Sequence, residues 1–150
     1  TDLCFLIVGS GTEKEKLQKM VEAFKLTNVV FKDFISREDY SDLLNSCDVG
    51  LVSLSPKNKT PVVPWKILGY MAAKLPVVAF LNQESDGHEI IEKAQCGYSV
   101  VSDNLNNIIS VISKAYENKN QCKVLGESGF NYVKNNFSKE ASVDVIDQLI

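Results

Sequence analysis

The sequence predicts an α/β fold with a parallel sheet of about five strands. Short apolar, β-branched runs alternate with stretches of helical periodicity along the whole chain, as in repeated βαβ units. No Pro-, Gly- or Ser-rich linker separates them, and 150 residues of which 45% are hydrophobic suffice for one domain with a sizeable core. We therefore expect a single domain over residues 1–150, and the composition excludes a disordered chain.

The clearest local pattern is a strand, a glycine turn and a helix at the start of the chain. Leu3–Val8 is apolar at consecutive positions, which is typical of a strand covered by helices on both faces. Gly9-Ser10-Gly11 forms the turn, and Thr12 with Glu15 has the spacing of a capping box. The buried face of the helix is expected to carry Leu17, Met20, Val21 and Phe24.

Two more strands, with a helix between them, precede a surface loop. Asn28–Phe31 is the second predicted strand, Ser36 can cap the next helix, and Val49–Val52 is the third strand. The buried stripe of that helix is Tyr40, Leu43, Leu44 and Cys47. Ser53–Pro64 holds three prolines, too many for the interior of a regular element, so it predicts a loop.

The rest of the chain predicts two strands and five helices. Pro64 suits the first turn of a helix that points Ile67, Leu68, Met71 and Ala72 inward. Pro76–Phe80 is the fourth strand, Glu89–Ala94 a short helix ended by Gly97, and Tyr98–Val101 the fifth strand. The closing helices are marked by Leu105 to Tyr116, by Cys122 to Val133 and by the cap Ser138.

Charge and cysteine usage restrict the function. The 16 Lys and Arg nearly balance the 19 Asp and Glu, giving a net charge of −3 without a basic block, so a nucleic-acid partner is not expected. The apolar runs are shorter than the roughly 20 residues of a membrane span, and no signal peptide is recognisable. The four cysteines, Cys4, Cys47, Cys96 and Cys122, share no CxxC spacing and adjoin apolar runs. They favour buried free thiols in a reducing cytosol and no cysteine-held metal.

Ligands of open parallel sheets bind outside the carboxyl ends of the strands. The segments to consider are Gly9–Thr12, Asp33–Ser36, Ser53–Lys66 and Leu81–His88. The Gly9-Ser10-Gly11 turn could bring backbone amides and a helix N-terminus to a phosphate. The same glycines are equally expected where a tight βα turn needs a positive φ.

Two further segments have a functional and a structural interpretation. Phe34 and Ile35, before Ser36, could receive a flat base, or they could be core residues that fix the entry to the helix. Lys66, beside Trp65, opposes the dipole of its helix, which is unfavourable unless an anion lies nearby. The alternative is a solvated lysine on a surface loop.

No catalytic residue can be assigned from the sequence. His88 is the sole histidine, and with acidic neighbours and no paired nucleophile it is more typical of a surface residue than of a general base. A G-x-S-x-G turn and metal-ligand spacings are both missing from the sequence.

The ordered segments together resemble the C-terminal, donor-binding domain of GT-B glycosyltransferases of retaining family 4, or group 1. Leu6–Leu17 is similar to the family's I-V-G-x-G-x-x-x-x-x-L turn, Asn28–Ser36 to N-V-x-F-x-G-x-V-x, and Cys47–Val52 to A-D-x-x-L-x. Pro64–Val78 resembles P-S-K-x-x-E-Y-M-A-A-G-x-P-V-V. The resemblance covers nearly the whole chain and implies a three-layer, Rossmann-like domain.

The resemblance implies a nucleotide-diphosphate sugar as donor, with no metal or other cofactor. It places the diphosphate against Gly9, Ser10, Gly11, Val63, Pro64, Trp65 and Lys66, and the base against Phe34, Ile35 and Ser36. The acceptor would be held by an N-terminal domain of the same full-length chain. The implied activity is transfer of a sugar, of the hexosyl type, in glycan or polysaccharide biosynthesis.

Departures from the family pattern at Pro61, Gly69 and Lys74 bear on the activity and on the fold. Pro61 and Gly69 occupy the places of the family's paired glutamates, which bracket the donor. The alternative function is therefore a non-catalytic nucleotide-binding or scaffold module. Lys74 replaces the glycine that ends the family's helix, so we expect there either a non-glycine residue with positive φ or a differently shaped corner.

The family's first strand, with its G-R-x-x-x-x-K-G element, has no counterpart before Leu3. That strand lies mid-sheet in the order 3-2-1-4-5-6, so the sheet could have a gap, close to the order 2-1-3-4-5, or belong to a longer chain. We favour a fragment of a two-domain transferase, inactive by itself. The implied location is the cytoplasm, and the resemblance allows a peripheral membrane association of the full-length form through the missing domain.

Overall fold

The computed structural model describes residues 3–147 and confirms the alternation of strands and helices. The elements are β1 (Phe5–Val8), α1 (Lys14–Ala23), β2 (Val29–Lys32), α2 (Arg37–Asn45), β3 (Gly50–Ser53), α3 (Trp65–Ala72), β4 (Val77–Leu81), α4 (Gly87–Ala94), β5 (Gly97–Val101), α5 (Leu105–Glu117), α6 (Lys119–Phe137) and α7 (Lys139–Asp147). The chain divides into two compact units, Thr1–Leu43 and Leu44–Ile150.

All strand pairs are parallel, as predicted for this fold class. Strands β1 and β2 form a two-stranded sheet in the first unit, with Phe5 opposite Val29. Strands β3, β4 and β5 form a three-stranded sheet in the second, with β4 in the centre. The strand order is thus β1-β2 within the first unit and β3-β4-β5 within the second.

The second unit is a three-layer arrangement around β4, whose five residues are all buried. One face of the strand, Val77, Ala79 and Leu81, shares a cluster with Ile67 of α3 and Ile91 of α4. The other face packs with α5 and the start of α6: Val78 and Phe80 lie in a cluster with Ala115 and Cys122. Helices therefore cover both faces of this sheet, which explains why β4 is apolar at every position.

Gly97 belongs to strand β5 and does not end the preceding helix, contrary to the prediction. Helix α4 ends at Ala94, and its C-cap, Gln95, is left-handed with a φ of 46°. A Cβ atom at Gly97 would lie 1.8 Å from the carbonyl oxygen of Val77. Glycine is therefore required by the close approach of β4 and β5 at this point.

The first unit is less buried than the sequence predicts. Leu6 and Ile7 of β1 are 36% and 41% exposed, where a strand covered on both faces was expected. Helix α1 has no buried residue, and the apolar side chains predicted to point inward, Leu17, Met20 and Phe24, are exposed. Apolar residues at consecutive positions therefore do not establish burial here.

The predicted helix ends are partly right. Ser36 caps α2, since its Oγ accepts a hydrogen bond from the N–H of Asp39 at 3.0 Å, and Ser138 accepts from Ala141 at the start of α7. The Thr12 capping box is wrong: Glu13 is the N-cap of α1 and makes no side-chain cap hydrogen bond. Pro64 is the N-cap of α3, directly before the helix it was expected to begin.

Lys74 adopts the positive φ expected of the residue that replaces glycine, at 58°. Its Nζ lies 2.9 Å from Glu127 and 4.8 Å from the centre of the Phe130 ring. A Cβ on Gly126 would lie 2.1 Å from the Lys74 carbonyl oxygen, so the corner packs tightly on α6. The surrounding contacts offset the strain of a left-handed lysine.

The cysteines are free thiols, but they do not share one environment. Cys96 and Cys122 are buried, Cys47 is half-buried, and Cys4 is exposed. The interpretation as buried thiols is therefore right for two of the four and wrong for Cys4. Within residues 3–147, no helix combines the length and the apolar character needed to cross a membrane.

Candidate functional site

The segment before α3 leads into a helix whose first residues are exposed. Residues 54–64 form no strand or helix, and the helix starts at Trp65. Trp65 is 85% exposed and Lys66 is exposed, while Val63 and Pro64 are half-buried. An indole and an ammonium group thus face solvent at the N-terminus of α3.

The first turn of α3 is electropositive. The first N–H groups of a helix have no intrahelical partner, and the helix dipole adds positive potential there. Its N-cap, Pro64, makes no side-chain cap hydrogen bond, and the first turn has no acidic residue. Backbone amides, the dipole and the Lys66 ammonium therefore have the same sign, an arrangement suited to an anion.

Two buried side chains hold the loop that leads into α3. The Asn82 side-chain N–H donates to the carbonyl of Thr60 at 3.3 Å, and the Ser85 hydroxyl donates to the carbonyl of Val62 at 2.6 Å. Asn82 is 1% exposed and Ser85 4% exposed. Both lie in Leu81–His88, one of the four segments considered from the sequence, but neither residue was singled out within that segment.

His88 is not the surface residue that the sequence indicated. Its side chain is half-buried, with Nε2 3.3 Å from the Asn82 carbonyl oxygen and Nδ1 2.9 Å from the Ser99 hydroxyl. Because a carbonyl only accepts, Nε2 carries the proton and Nδ1 accepts from Ser99. Both ring nitrogens form hydrogen bonds that hold the chain after β4. His88 therefore has a structural role and is not an exposed base.

In the first unit, the glycine turn after β1 is partly committed to the fold. Gly9 has a φ of 129°, which explains the glycine, and its N–H donates to the Lys32 carbonyl at 3.1 Å. Ser10 and Gly11 are exposed, and a Cβ on Gly11 would have no neighbour within 4 Å. The amides of Ser10 and Gly11 are thus better placed for a ligand than that of Gly9.

Phe34 is not a core residue of its unit. It is 83% exposed, and Ile35 is half-buried. The preceding residue, Asp33, forms an ion pair with Lys14 in the first turn of α1. The hydrogen bond and charge of Lys14 hold the pKa of the Asp33 carboxyl below its usual value. This pair ties the loop after β2 to α1 and leaves the Phe34 ring in solvent.

Ser36 is a predicted base-binding residue whose hydroxyl is already engaged. It accepts from the Asp39 amide and donates to the Asp39 carboxylate at 2.7 Å. A base at this segment would therefore meet backbone groups and the exposed Phe34 ring rather than the Ser36 hydroxyl.

Neither of the two positions that lack the family's glutamates is tightly packed. Pro61 is exposed on the loop, and Gly69 is half-buried in α3 with no atom within 4 Å of its Cβ position. In residues 3–147, no three or more His, Cys, Asp or Glu side chains are grouped so as to hold a metal ion.

Comparison with known proteins gives one family. The profile of the family described as Glycosyl transferases group 1 matches residues 1–118. The chain is 42% identical over 77 residues to the chitobiosyldiphosphodolichol beta-mannosyltransferase of Kluyveromyces lactis. That match covers 51% of this chain and 17% of the relative, so the aligned segment spans about a sixth of that protein's length.

Two solved structures have the same fold. A mutant of S. aureus TarM, in complex with fondaparinux, alpha-GlcNAc-glycerol and UDP, superposes with a TM-score of 0.78 at 23% identity. It covers 97% of this chain, which corresponds to 28% of the TarM chain. WaaG, a glycosyltransferase involved in lipopolysaccharide biosynthesis, has a TM-score of 0.71 at 21% identity over 95% of this chain and 38% of its own.

Proposed function

Because this chain belongs to the group 1 glycosyl transferases, we propose that it is the part of such an enzyme that binds a nucleotide-diphosphate sugar donor. The carrying observation is the electropositive segment Val63–Lys66, with Lys66 and Trp65 exposed at the start of α3. The complex of TarM with UDP supports a nucleoside diphosphate as the ligand class.

In this proposal, Lys66 and the first amides of α3 stabilise the departing diphosphate. Negative charge builds up on the leaving group as the glycosidic bond to phosphate breaks. Fixed donors and dipoles aimed at that charge lower the barrier because they need no reorganisation during the reaction. The positive charge comes from this chain's own groups, and the scheme needs no metal.

In the first unit, the contacts of Ser10 and Gly11 with a diphosphate and of Phe34 and Ile35 with a base stay predictions. The exposed Phe34 ring offers a face for stacking, and Ile35 an apolar edge. Since the Ser36 hydroxyl caps α2, contacts to the base at this residue would come from its backbone.

The proposed activity of the full-length protein is hexosyl transfer to a hydroxyl of a growing glycan or lipid-linked acceptor. The acceptor would be held by an N-terminal domain, so we expect this chain alone to bind donor without transferring it. A cytoplasmic location, with peripheral membrane association through that domain, is part of the same proposal. Retention of the anomeric configuration stays a prediction; the relative is named as a beta-mannosyltransferase, and NMR of the product anomer decides between retention and inversion.

A second candidate is a non-catalytic module that kept the fold. Pro61 and Gly69 favour this second candidate, since neither can supply the carboxylates that bracket the donor in the family that the sequence resembles. If the protein is such a module, its full-length form would either bind nucleotide without transferring a sugar or do neither.

Calorimetry tests the proposal. Titration of the chain with UDP, GDP, ADP and their sugars should give saturable binding of at least one in the micromolar to millimolar range. Binding without transfer by the full-length form would favour the module, and absence of any binding by folded protein would overturn the donor-binding function.

A further inference from the structure

The turn after β4 holds the loop before α3 through side chains. In the described structure, the carbonyl groups of Thr60 and Val62 accept from Asn82 and Ser85, which lie more than 20 residues further along the chain. Asn82 and Ser85 are called the loop anchor below. Val62 is followed directly by Val63, so the anchor acts next to the proposed donor segment.

The anchor is itself fixed from several sides. The Ser85 hydroxyl accepts from the Gly87 amide at 3.2 Å while it donates to Val62. The Asn82 carbonyl accepts from the Ser85 amide at 3.1 Å and from Nε2 of His88. His88 in turn is held by Ser99 of β5. A continuous set of hydrogen bonds thus runs from the sheet to the loop.

The side chain of Asn82 is not explained by stability. Its Oδ1 is buried and has no hydrogen-bond partner within the described part of the chain. The amide orientation is fixed, because its N–H group faces two acceptors, Thr60 O and Glu84 Oε2, each at 3.3 Å. A buried acceptor without a partner costs free energy that an apolar residue would not cost.

We propose that Asn82 and Ser85 are positioning residues for the donor, which set the backbone of Thr60–Pro64 so that Val63 and the first turn of α3 meet the diphosphate. This inference rests on the proposed function. Displacement of groups aimed at a charged ligand by about 1 Å is enough to reduce their contribution strongly. The anchor therefore acts on binding through the loop and touches no reacting atom.

Ser85→Ala tests the proposal, with Ser128→Ala as the matched control. Ser128, which is half-buried, also donates to a backbone carbonyl, that of Ala94 at 2.7 Å, but it lies on α6. Each variant loses one bond to a carbonyl, and Ser85→Ala also loses the bond from the Gly87 amide, so its melting temperature should fall further than that of Ser128→Ala. Only Ser85→Ala should release the loop.

The first readout needs no nucleotide. Backbone ¹⁵N relaxation should give order parameters near ~0.85 for Thr60, Val62 and Val63 in the wild type and in Ser128→Ala. In Ser85→Ala they should fall below about 0.6. Unchanged order parameters in folded Ser85→Ala would overturn the loop anchor.

The second readout is affinity for the nucleoside diphosphate that binds the wild type most tightly. We expect Ser85→Ala to weaken binding about tenfold, the effect of roughly one lost hydrogen bond, and Ser128→Ala to change it less than twofold. A flexible loop with unchanged affinity would overturn the positioning role. Absence of binding by the wild type would overturn the proposed function and the role together, whereas the order parameters would still report the anchor.

Discussion

Replacement of Lys66 by alanine should weaken nucleotide binding and at the same time stabilise the unliganded protein. Lys66 is exposed in the first turn of α3, and that turn has no acidic residue. Its charge therefore opposes the positive end of the helix dipole without a neighbouring carboxylate in the turn. A gain in stability together with a loss of nucleotide affinity would identify Lys66 as a residue that binds an anionic ligand.

The two effects have different sizes. Removal of a cation from a helix N-terminus is worth about 0.3–1 kcal/mol, which for a chain of this length raises the melting temperature by roughly 1–4 °C. A unit charge 4 Å from a phosphate charge in water contributes about 1 kcal/mol. The dissociation constant should therefore rise about fivefold to tenfold, and its dependence on salt should decrease.

Lys119→Ala is the matched control. Lys119 is the first residue of α6, is exposed, and also lies in a first turn without acidic residues. Thermal melting and calorimetry with UDP and GDP at two salt concentrations measure both quantities. We expect Lys66→Ala to gain stability and to lose affinity. Lys119 also directly follows Asn118, the C-cap of α5, where a cation is favourable, so Lys119→Ala should gain little stability and keep its affinity. Equal affinities for Lys66→Ala and the wild type would remove Lys66 from the site, and a lower melting temperature would assign it a structural contact instead.

Four further outcomes are expected. Phe34→Ala should leave the melting temperature unchanged, because the ring is 83% exposed. If the base stacks on this ring, the variant should bind nucleotide more weakly by ~1–3 kcal/mol, and unchanged affinity would exclude stacking. Gly97→Ala should lower the free energy of unfolding in urea by more than ~4 kcal/mol, since its Cβ would meet the Val77 carbonyl at 1.8 Å; a small decrease would contradict the close pairing of β4 and β5 at this residue. A Cβ atom at Gly69 would have no neighbour within 4 Å; if a carboxylate at this position holds the ribose, Gly69→Glu should bind nucleosides more tightly than Gly69→Gln, and equal affinities would exclude such a carboxylate–ribose contact. Iodoacetamide at pH 7 should label the exposed Cys4 and spare Cys96, because burial raises the pKa of the Cys96 thiol to about 11; equal labelling would contradict its burial.

Several structural features that depend only on residues close together in the sequence were predicted correctly. The strand and helix order follows from periodicity, and Ser36 caps α2 because a serine oxygen three residues before an amide satisfies it. These features need no knowledge of distant contacts. The positive φ of Lys74 was expected instead from the resemblance, because the family has a glycine at this position.

Contacts between distant segments could not be predicted in the same way. The bond from Ser85 to Val62 spans 23 residues, and nothing in either local sequence indicates the other. The engagement of both His88 nitrogens likewise depends on Ser99 of β5. Burial of the first unit was overestimated, because an apolar strand such as Phe5–Val8 indicates compatibility with a covered sheet, not the presence of the cover.

The central claim is that the start of α3 binds the diphosphate of a nucleotide, and an NMR titration tests it most directly. ¹⁵N-labelled chain is titrated with UDP and GDP while the backbone amides and the Trp65 indole N–H are followed. We expect saturable shifts at Val63, Trp65 and Lys66 with at least one of the two nucleotides. Saturation of binding with these three amides unmoved would contradict the claim.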